Sequence, residues 1–337
     1  MKGLRDIPFR KFFRWELFLV LLILLELVVF GTLNPRFLRL RALFGSINDF
    51  MSIGVIALFV TFVLITGGMD IQAGSIVGLS SIMIGIFWQV FGFNIWAACF
   101  CAILLGAFCG LFSGFIVAYA RVQPMVVTLG TSFLFTGIAL TITKAVKIET
   151  FKGISGFPGS FTAFTAWRIL GIPFQFFIFI FLILVTSVIL HRTKYGRYVY
   201  LCGINPNAAE YSGVNTRRII MSTYGLSGIG AALAGIILTS YLGTAKSDFG
   251  KELTLPIITA VVLGGTSIAG GKGTILGTAL ATVAIGLMRF GLAMAGVNNQ
   301  YLDIPVGILL IIAVGMRGVI GIFPRRVSKK SSAGPLA

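Results

Sequence analysis

The sequence predicts an all-α, polytopic membrane protein of about ten spans, organised as a single transmembrane domain over residues 1–337. Three observations carry this. Hydrophobic residues make up 57% of the chain and charged residues 11%, where ordinary soluble domains carry about a quarter charged. The apolar residues fall in repeated runs close to the ~20 residues that cross a bilayer as helix. Short alternating segments of the kind that build a closed barrel are missing from the sequence, which leaves helices to satisfy the backbone in lipid.

Taken in order, MKGLRDIPFRKFFRWELF is basic and aromatic and leads into a first span at 15–33. Its apolar core is longer than a signal peptide's and lacks a small-residue cleavage site, so an uncleaved helix is expected. Glu26 lies inside it, and a carboxyl at that depth must face protein or water. Asn34-Pro35 breaks the run, Arg36, Arg39 and Arg41 follow, and a second span occupies 48–66. Its end is Gly67-Gly68-Met69-Asp70-Ile71-Gln72-Ala73-Gly74, from which a third span runs over 75–91.

The fourth span, 95–119, carries Gly106, Gly110 and Gly114 at four-residue spacing, a ridge without side chains on which a neighbouring helix packs closely. Pro124 opens the fifth, 124–143. Residues 144–171 are long and mixed in character and are expected to form an extramembranous surface. The sixth span, 172–190, leads into a polar, basic segment at 191–218, and the seventh occupies 219–242. Gly243 to Glu252, carrying Lys246, Asp248, Lys251 and Glu252, reads as a short polar connection. An eighth span at 255–269 is interrupted by Gly264-Gly265 and reaches spanning length only by continuing through Thr266–Ala269. The ninth, 274–295, contains Arg289; the tenth, 302–322, is followed by a basic tail.

The formal net charge of +17 sits at the chain ends and between spans, not on one face. Retention of positive loops explains most of that excess and excludes nucleic acid as the partner. An even number of spans puts both termini on one side, and the Lys/Arg bias makes that side, together with 191–218, cytoplasmic. Four cysteines without a C-x-x-C and a single histidine, His191, give no metal site. With ten acidic residues and no H-E-x-x-H or G-x-S-x-G, catalysis is not expected. GGKGT at 270–274 fails as a phosphate loop, because Lys272 is followed by Gly273 and the fifth residue before Gly271 is Thr266. An ion-coupled secondary transporter is the rival reading, and it would have to work through Glu26, Asp70, Arg289 and Asp303.

Two features invite a mechanism. Gly67-Gly68 followed by Gly74, and Gly264-Gly265 followed by Gly270-Gly271 and Gly273, are similar glycine-rich joints that each open a new span. Internal repeats with broken helices are a recurring transporter device. Within 191–218, Gly203-Ile204-Asn205-Pro206-Asn207 is a turn signal before Ala208-Ala209-Glu210-Tyr211-Ser212 and Gly213. Asn205 or Asn207 as cap, Pro206 in the first turn and Gly213 as stop predict a short helix presenting an Ala208-Ala209 face.

GRYVYLCGINPNAAEYSGV resembles the cytoplasmic coupling segment of permease subunits in bacterial sugar-type ABC importers, the ribose-transporter-like family. ITGGMDIQAGSIVGL, QPMVVTLGTSFLFTGIAL and LGGTSIAGGKGTILG resemble that family in the same order, over about residues 15–322. The resemblance implies that Gly196, Arg197, Gly203, Asn205, Ala208, Ala209, Ser212 and Gly213 couple the chain to an ATPase. It implies four kinds of partner: a second permease subunit, cytoplasmic ATPase subunits that bind the ATP and Mg, a periplasmic substrate-binding protein and the lipid of the bacterial inner membrane. This chain itself is expected to bind no cofactor. SYLGTAKSDFG, LPIITAVVLGG and MAGVNNQ are most similar to permeases of autoinducer-2 importers, with ribose or another monosaccharide as the alternative solute.

Overall fold

The computed structural model describes residues 9–147 and 153–322. Helices α1 (Phe9–Leu33), α2 (Leu40–Ile65), α3 (Ala73–Gln89), α4 (Ile95–Tyr119) and α5 (Pro124–Ala145) form the first half. A short β1 (Ile154–Ser155), α6 (Gly159–Ala166), β2 (Arg168–Ile169) and β3 (Ile172–Pro173) precede α7 (Phe174–Arg192). Two helices, α8 (Lys194–Ile204) and α9 (Pro206–Tyr211), lead to α10 (Thr216–Leu242). After β4 (Thr244–Ala245) come α11 (Thr254–Leu263), α12 (Ile275–Met294) and α13 (Asp303–Ile322). Among the described residues, seven helices are long and apolar enough to cross a membrane: α1, α2, α4, α5, α7, α10 and α12.

The core is α2. From Phe50 to Ile65 every residue is buried, as expected of a helix apolar on all sides. It extends about 39 Å at 1.5 Å per residue, enclosed by α7, α10, α11 and α12. The glycine ridge of α4 meets α10: a Cβ at Gly110 would collide with the Tyr224 carbonyl, and one at Gly106 would lie 2.5 Å from the Gly228 carbonyl oxygen.

The two ends of the bundle differ. At one end, Tyr195 of α8 pairs with Ser222 near the start of α10 (2.8 Å). At the other, the Ser240 hydroxyl donates to the Phe161 carbonyl (2.6 Å) and Thr165 pairs with Ser240 (2.9 Å), so α6 caps the far end of α10. The β2–β3 hairpin lies beside it, turning through Leu170 and Gly171 at φ 52° and 84°. Residues 153–173 therefore lie opposite α8–α9.

Two expected boundaries move. The second helix starts at Leu40 rather than 48, because the run from Leu40 to Ile47 carries a single charge, Arg41, and no proline to break it. The eighth helix stops at Leu263 instead of continuing to 269, because Gly265 takes φ +105° and turns the chain out of the helix. Gly243–Glu252 is the polar connection expected, and the structure adds where it runs. It packs along α3: the Lys246 N–H donates to the Ser81 hydroxyl (3.2 Å), and Cβ atoms at Gly78 and Gly74 would overlap the carbonyls of Ser247 and Gly250. The chain thus descends along α3, about 10 Å over the seven residues from Ser81 to Gly74, before α11 begins.

Candidate coupling segment and membrane joints

Each helix of the 191–218 segment is fixed by its own caps. Thr193 accepts from the Gly196 N–H (3.2 Å) to start α8. Asn205 accepts from the Ala208 N–H (3.1 Å) to start α9, with Pro206 in its first turn. Gly213, at φ +82°, ends α9, and the Val214 N–H returns to the Ala209 carbonyl (3.0 Å), a Schellman closure. The Ser212 hydroxyl is spent inside the helix, donating to the Ala208 carbonyl (2.8 Å). On α8, Gly196, Val199 and Cys202 face inward while Arg197, Tyr198 and Leu201 are exposed. Burial among these groups pushes the Cys202 thiol up to about 11, which makes it an inert packing residue.

The expected Ala208-Ala209 face does not form. Ala208 is exposed, but Ala209 is 3% exposed and packs with Cys202 and Val214. Successive helical residues point about 100° apart, and on α9 that turn directs Ala209 onto Cys202 and Val214 while Ala208 stays outside.

Gly203 joins this segment to the membrane interior. A Cβ there would overlap the Ile65 carbonyl at the end of α2 and lie 2.5 Å from the Gly271 nitrogen. The Gly271 N–H donates to that same Ile65 carbonyl (2.8 Å). Gly270 is wedged between Gly203 and Gly67, its ideal Cβ 2.9 Å from the Gly203 oxygen and 2.9 Å from the Gly67 nitrogen. Tyr200 adds a hydrogen bond from its hydroxyl to the Gly273 carbonyl (2.6 Å). The coupling segment and the two joints, far apart in sequence, form one backbone-to-backbone knot.

The joints themselves are built alike. At the first, Gly67 has φ +80° and the Gly68 N–H returns to the Val63 carbonyl (3.1 Å). At the second, Gly264 leads to Gly265, and the Thr266 N–H returns to the Val261 carbonyl (3.2 Å). Both helices end in the same six-residue closure on a left-handed glycine. Gly74 lies outside the knot, against Gly250 of the descending segment.

Beyond the first joint, a polar cluster pins the chain. Asp70, 1% exposed, accepts from the Gln72 N–H (3.0 Å) and the Ser227 hydroxyl (2.5 Å). The Gln72 side-chain oxygen accepts from the hydroxyls of Ser113 and Thr131 (2.6 Å for Thr131). Thr128 donates to the Met69 carbonyl (3.2 Å). Sequence reasoning singled out Asp70 but missed Gln72, Ser113, Thr131 and Ser227, whose signal was only a hydroxyl or amide inside an apolar run.

The other ionisable residues lie elsewhere. Arg289 and Asp303 approach to 3.2 Å, a charge contact without hydrogen-bond geometry that ties α12 to α13 near their shared end. Both are partly exposed, so Arg289→Gln is expected to shift stability by less than about 1 kcal/mol, readable as a small change in thermal unfolding. Glu26 is buried on α1. A cavity of about 370 Å3 opens at the far end of the bundle, lined by Asn48, Thr165, Arg168 and Tyr241 among others.

Residues 42–314 match the family model described as branched-chain amino acid transport system / permease component. The chain is 43% identical over 305 residues to the autoinducer 2 import system permease protein LsrD of Escherichia coli (strain K12), covering 90% of this chain and 92% of that protein. It is 43% identical over 305 residues to the LsrD protein of Shigella flexneri, with the same coverage. Over 300 residues it is 41% identical to the LsrD protein of Enterobacter sp. (strain 638), covering 89% of this chain and 91% of that one. No solved structure matches it.

Proposed function

Because the chain belongs to the family of branched-chain amino acid transport system permease components, we propose that it is the translocation subunit of an ABC importer whose solute is autoinducer 2. The solute follows from the relatives just described, which are named for autoinducer 2 import; ribose becomes the comparator. ATP and Mg belong to a separate ATPase subunit, since GGKGT at 270–274 lacks the phosphate-loop spacing. A second permease subunit and a substrate-binding protein complete the assembly. The termini and α8–α9 face the cytoplasm, where exposed Lys194, Arg197, Arg217 and Arg218 favour retention. The binding protein then meets the opposite end, at α6 and the β2–β3 hairpin.

The observation that carries this reading is the glycine knot. A two-state gate moved from 1:99 to 99:1 needs about 5.5 kcal/mol of differential binding. That bias comes from a partner gripping α9, and Gly203, Gly270 and Gly67 pass the displacement from backbone to backbone into the joints. With no side chain between them, the contact has little compliance.

The test is uptake of autoinducer 2 by vesicles holding both permeases, the ATPase and the binding protein. Ala208→Glu is expected to abolish uptake and ATPase co-purification, because an unpaired charge buried at that contact costs about 3–5 kcal/mol. Lys194→Ala should change uptake little, since exposed ion pairs contribute about 0–1 kcal/mol. Ala209→Glu is not a clean probe, because Ala209 is packed inside this subunit. Accumulation driven by an ion gradient without the ATPase would replace the reading with a secondary transporter.

A further inference from the structure

We propose that the descending segment before α11 lines a water-filled passage for a neutral, hydroxyl-rich solute, with Asp248, Lys251 and Glu252 as its polar wall. The inference rests on the importer reading for the identity of the solute, and on geometry for the passage. Ser247 lies against Gly78 and Gly250 against Gly74. The Gly74 end of α3 is level with Gln72, which bonds to Ser113, six residues before the end of α4. That is about 9 Å inside along α4, with Ser247 about 6 Å deeper still. Charged residues at this level are within the bilayer's thickness.

Despite that depth, Asp248, Lys251 and Glu252 are exposed, and so is Leu255 one turn further on. The spacing is that of one face of a continuous turn-helix run, with the Lys251 N–H donating to the Asp248 carbonyl (3.1 Å). None of the three forms an ion pair among the described residues. The large side chains exposed on α1 and α4 at their membrane depths are Leu, Val, Phe and Trp, which is what lipid requires. Exposed charges and irregular backbone at membrane depth are tolerated only against protein or water. The opposite wall belongs to the second permease subunit.

The chemistry of the face fits the solute. Two carboxylates accept and one ammonium donates hydrogen bonds, the complement of a solute carrying several hydroxyls. Ion conduits line themselves with one sign of charge; here the signs alternate and nearly cancel. Weak, repeated hydroxyl contacts let a solute enter and leave.

Single cysteines at 248, 251, 252 and 255, placed in a Cys101→Ser background because Cys99, Cys109 and Cys202 are buried, test this in the assembled importer. Asp248→Cys, Lys251→Cys and Glu252→Cys should react with a charged, membrane-impermeant thiosulfonate at least about tenfold faster than Val28→Cys on the lipid face of α1. Leu255→Cys reports on the same face should a charged position fail to assemble. Reaction only with a lipid-soluble maleimide would overturn the proposal. So would labelling in the lone chain that vanishes in the assembled complex, which marks a dry subunit contact. Uptake of autoinducer 2 and ribose by the parent vesicles separates the two claims. Uptake without labelling sinks the passage, whereas labelling without uptake of either solute supports the passage and sinks the importer reading.

Discussion

Gly203→Ala is expected to destabilise the subunit by about 2–4 kcal/mol and to stop uptake. The new methyl would overlap the Ile65 carbonyl and press on the Gly271 nitrogen. Overpacking of this kind costs about 1–3 kcal/mol. The Gly271-to-Ile65 hydrogen bond (2.8 Å) is lost in addition, at about 1 kcal/mol. The nearest atoms yield little, because they are backbone of Ile65 and Gly271. Gly130→Ala provides the contrast, since a Cβ there meets nothing within 4 Å and alanine is the better helix former. Thermal unfolding in detergent and uptake in vesicles read both variants; wild-type behaviour of Gly203→Ala would dissolve the knot as a coupling element.

Asp70→Ala should be comparably severe, with a loss of about 2–6 kcal/mol. It strands the Ser227 hydroxyl and the Gln72 N–H, both buried, and each orphaned donor costs about 1–3 kcal/mol. Asp70→Asn keeps an acceptor for the Gln72 N–H and can donate to a rotated Ser227 hydroxyl, so most of the stability returns. The measurement is the order of unfolding temperatures: alanine well below asparagine, asparagine close to the parent. If the two variants unfold together near the parent, the joint is not held by this carboxyl.

How much of this could be read in advance follows from what a bilayer demands. Apolar runs must be long to cross lipid, so the seven helices of spanning length among the described residues are visible in the chain itself. The caps of α9 are visible too, because Asn205, Pro206 and Gly213 act on their immediate neighbours. Gln72 is a different case: its partners Ser113 and Thr131 lie 41 and 59 residues away, and only the packed bundle brings them together. Asp248, Lys251 and Glu252 read as polar but not by depth, for a physical reason. A polar stretch signals water, and sequence does not distinguish water outside a protein from water inside it. Ala208-Ala209 misleads because tertiary packing decides burial: Cys202 and Val214 cover Ala209 alone.

The brevity of α11 has a consequence for how the chain is made. Its ten residues extend about 15 Å, half of a ~30 Å hydrocarbon layer. A ribosome delivering Thr254–Leu263 to the insertion machinery offers too little apolar length to partition into lipid alone. One wall of its eventual site, α2, has been synthesised long before, but α12 and α13, which also enclose it, have not yet emerged. The segment must therefore wait at the membrane surface and enter with them as a single late folding unit. Nascent chains halted just after Leu263 should leave residues 247–263 open to protease, whereas chains extended through α13 should protect them. The final third of the subunit is thus assembled by cooperation among its helices, not by insertion one span at a time.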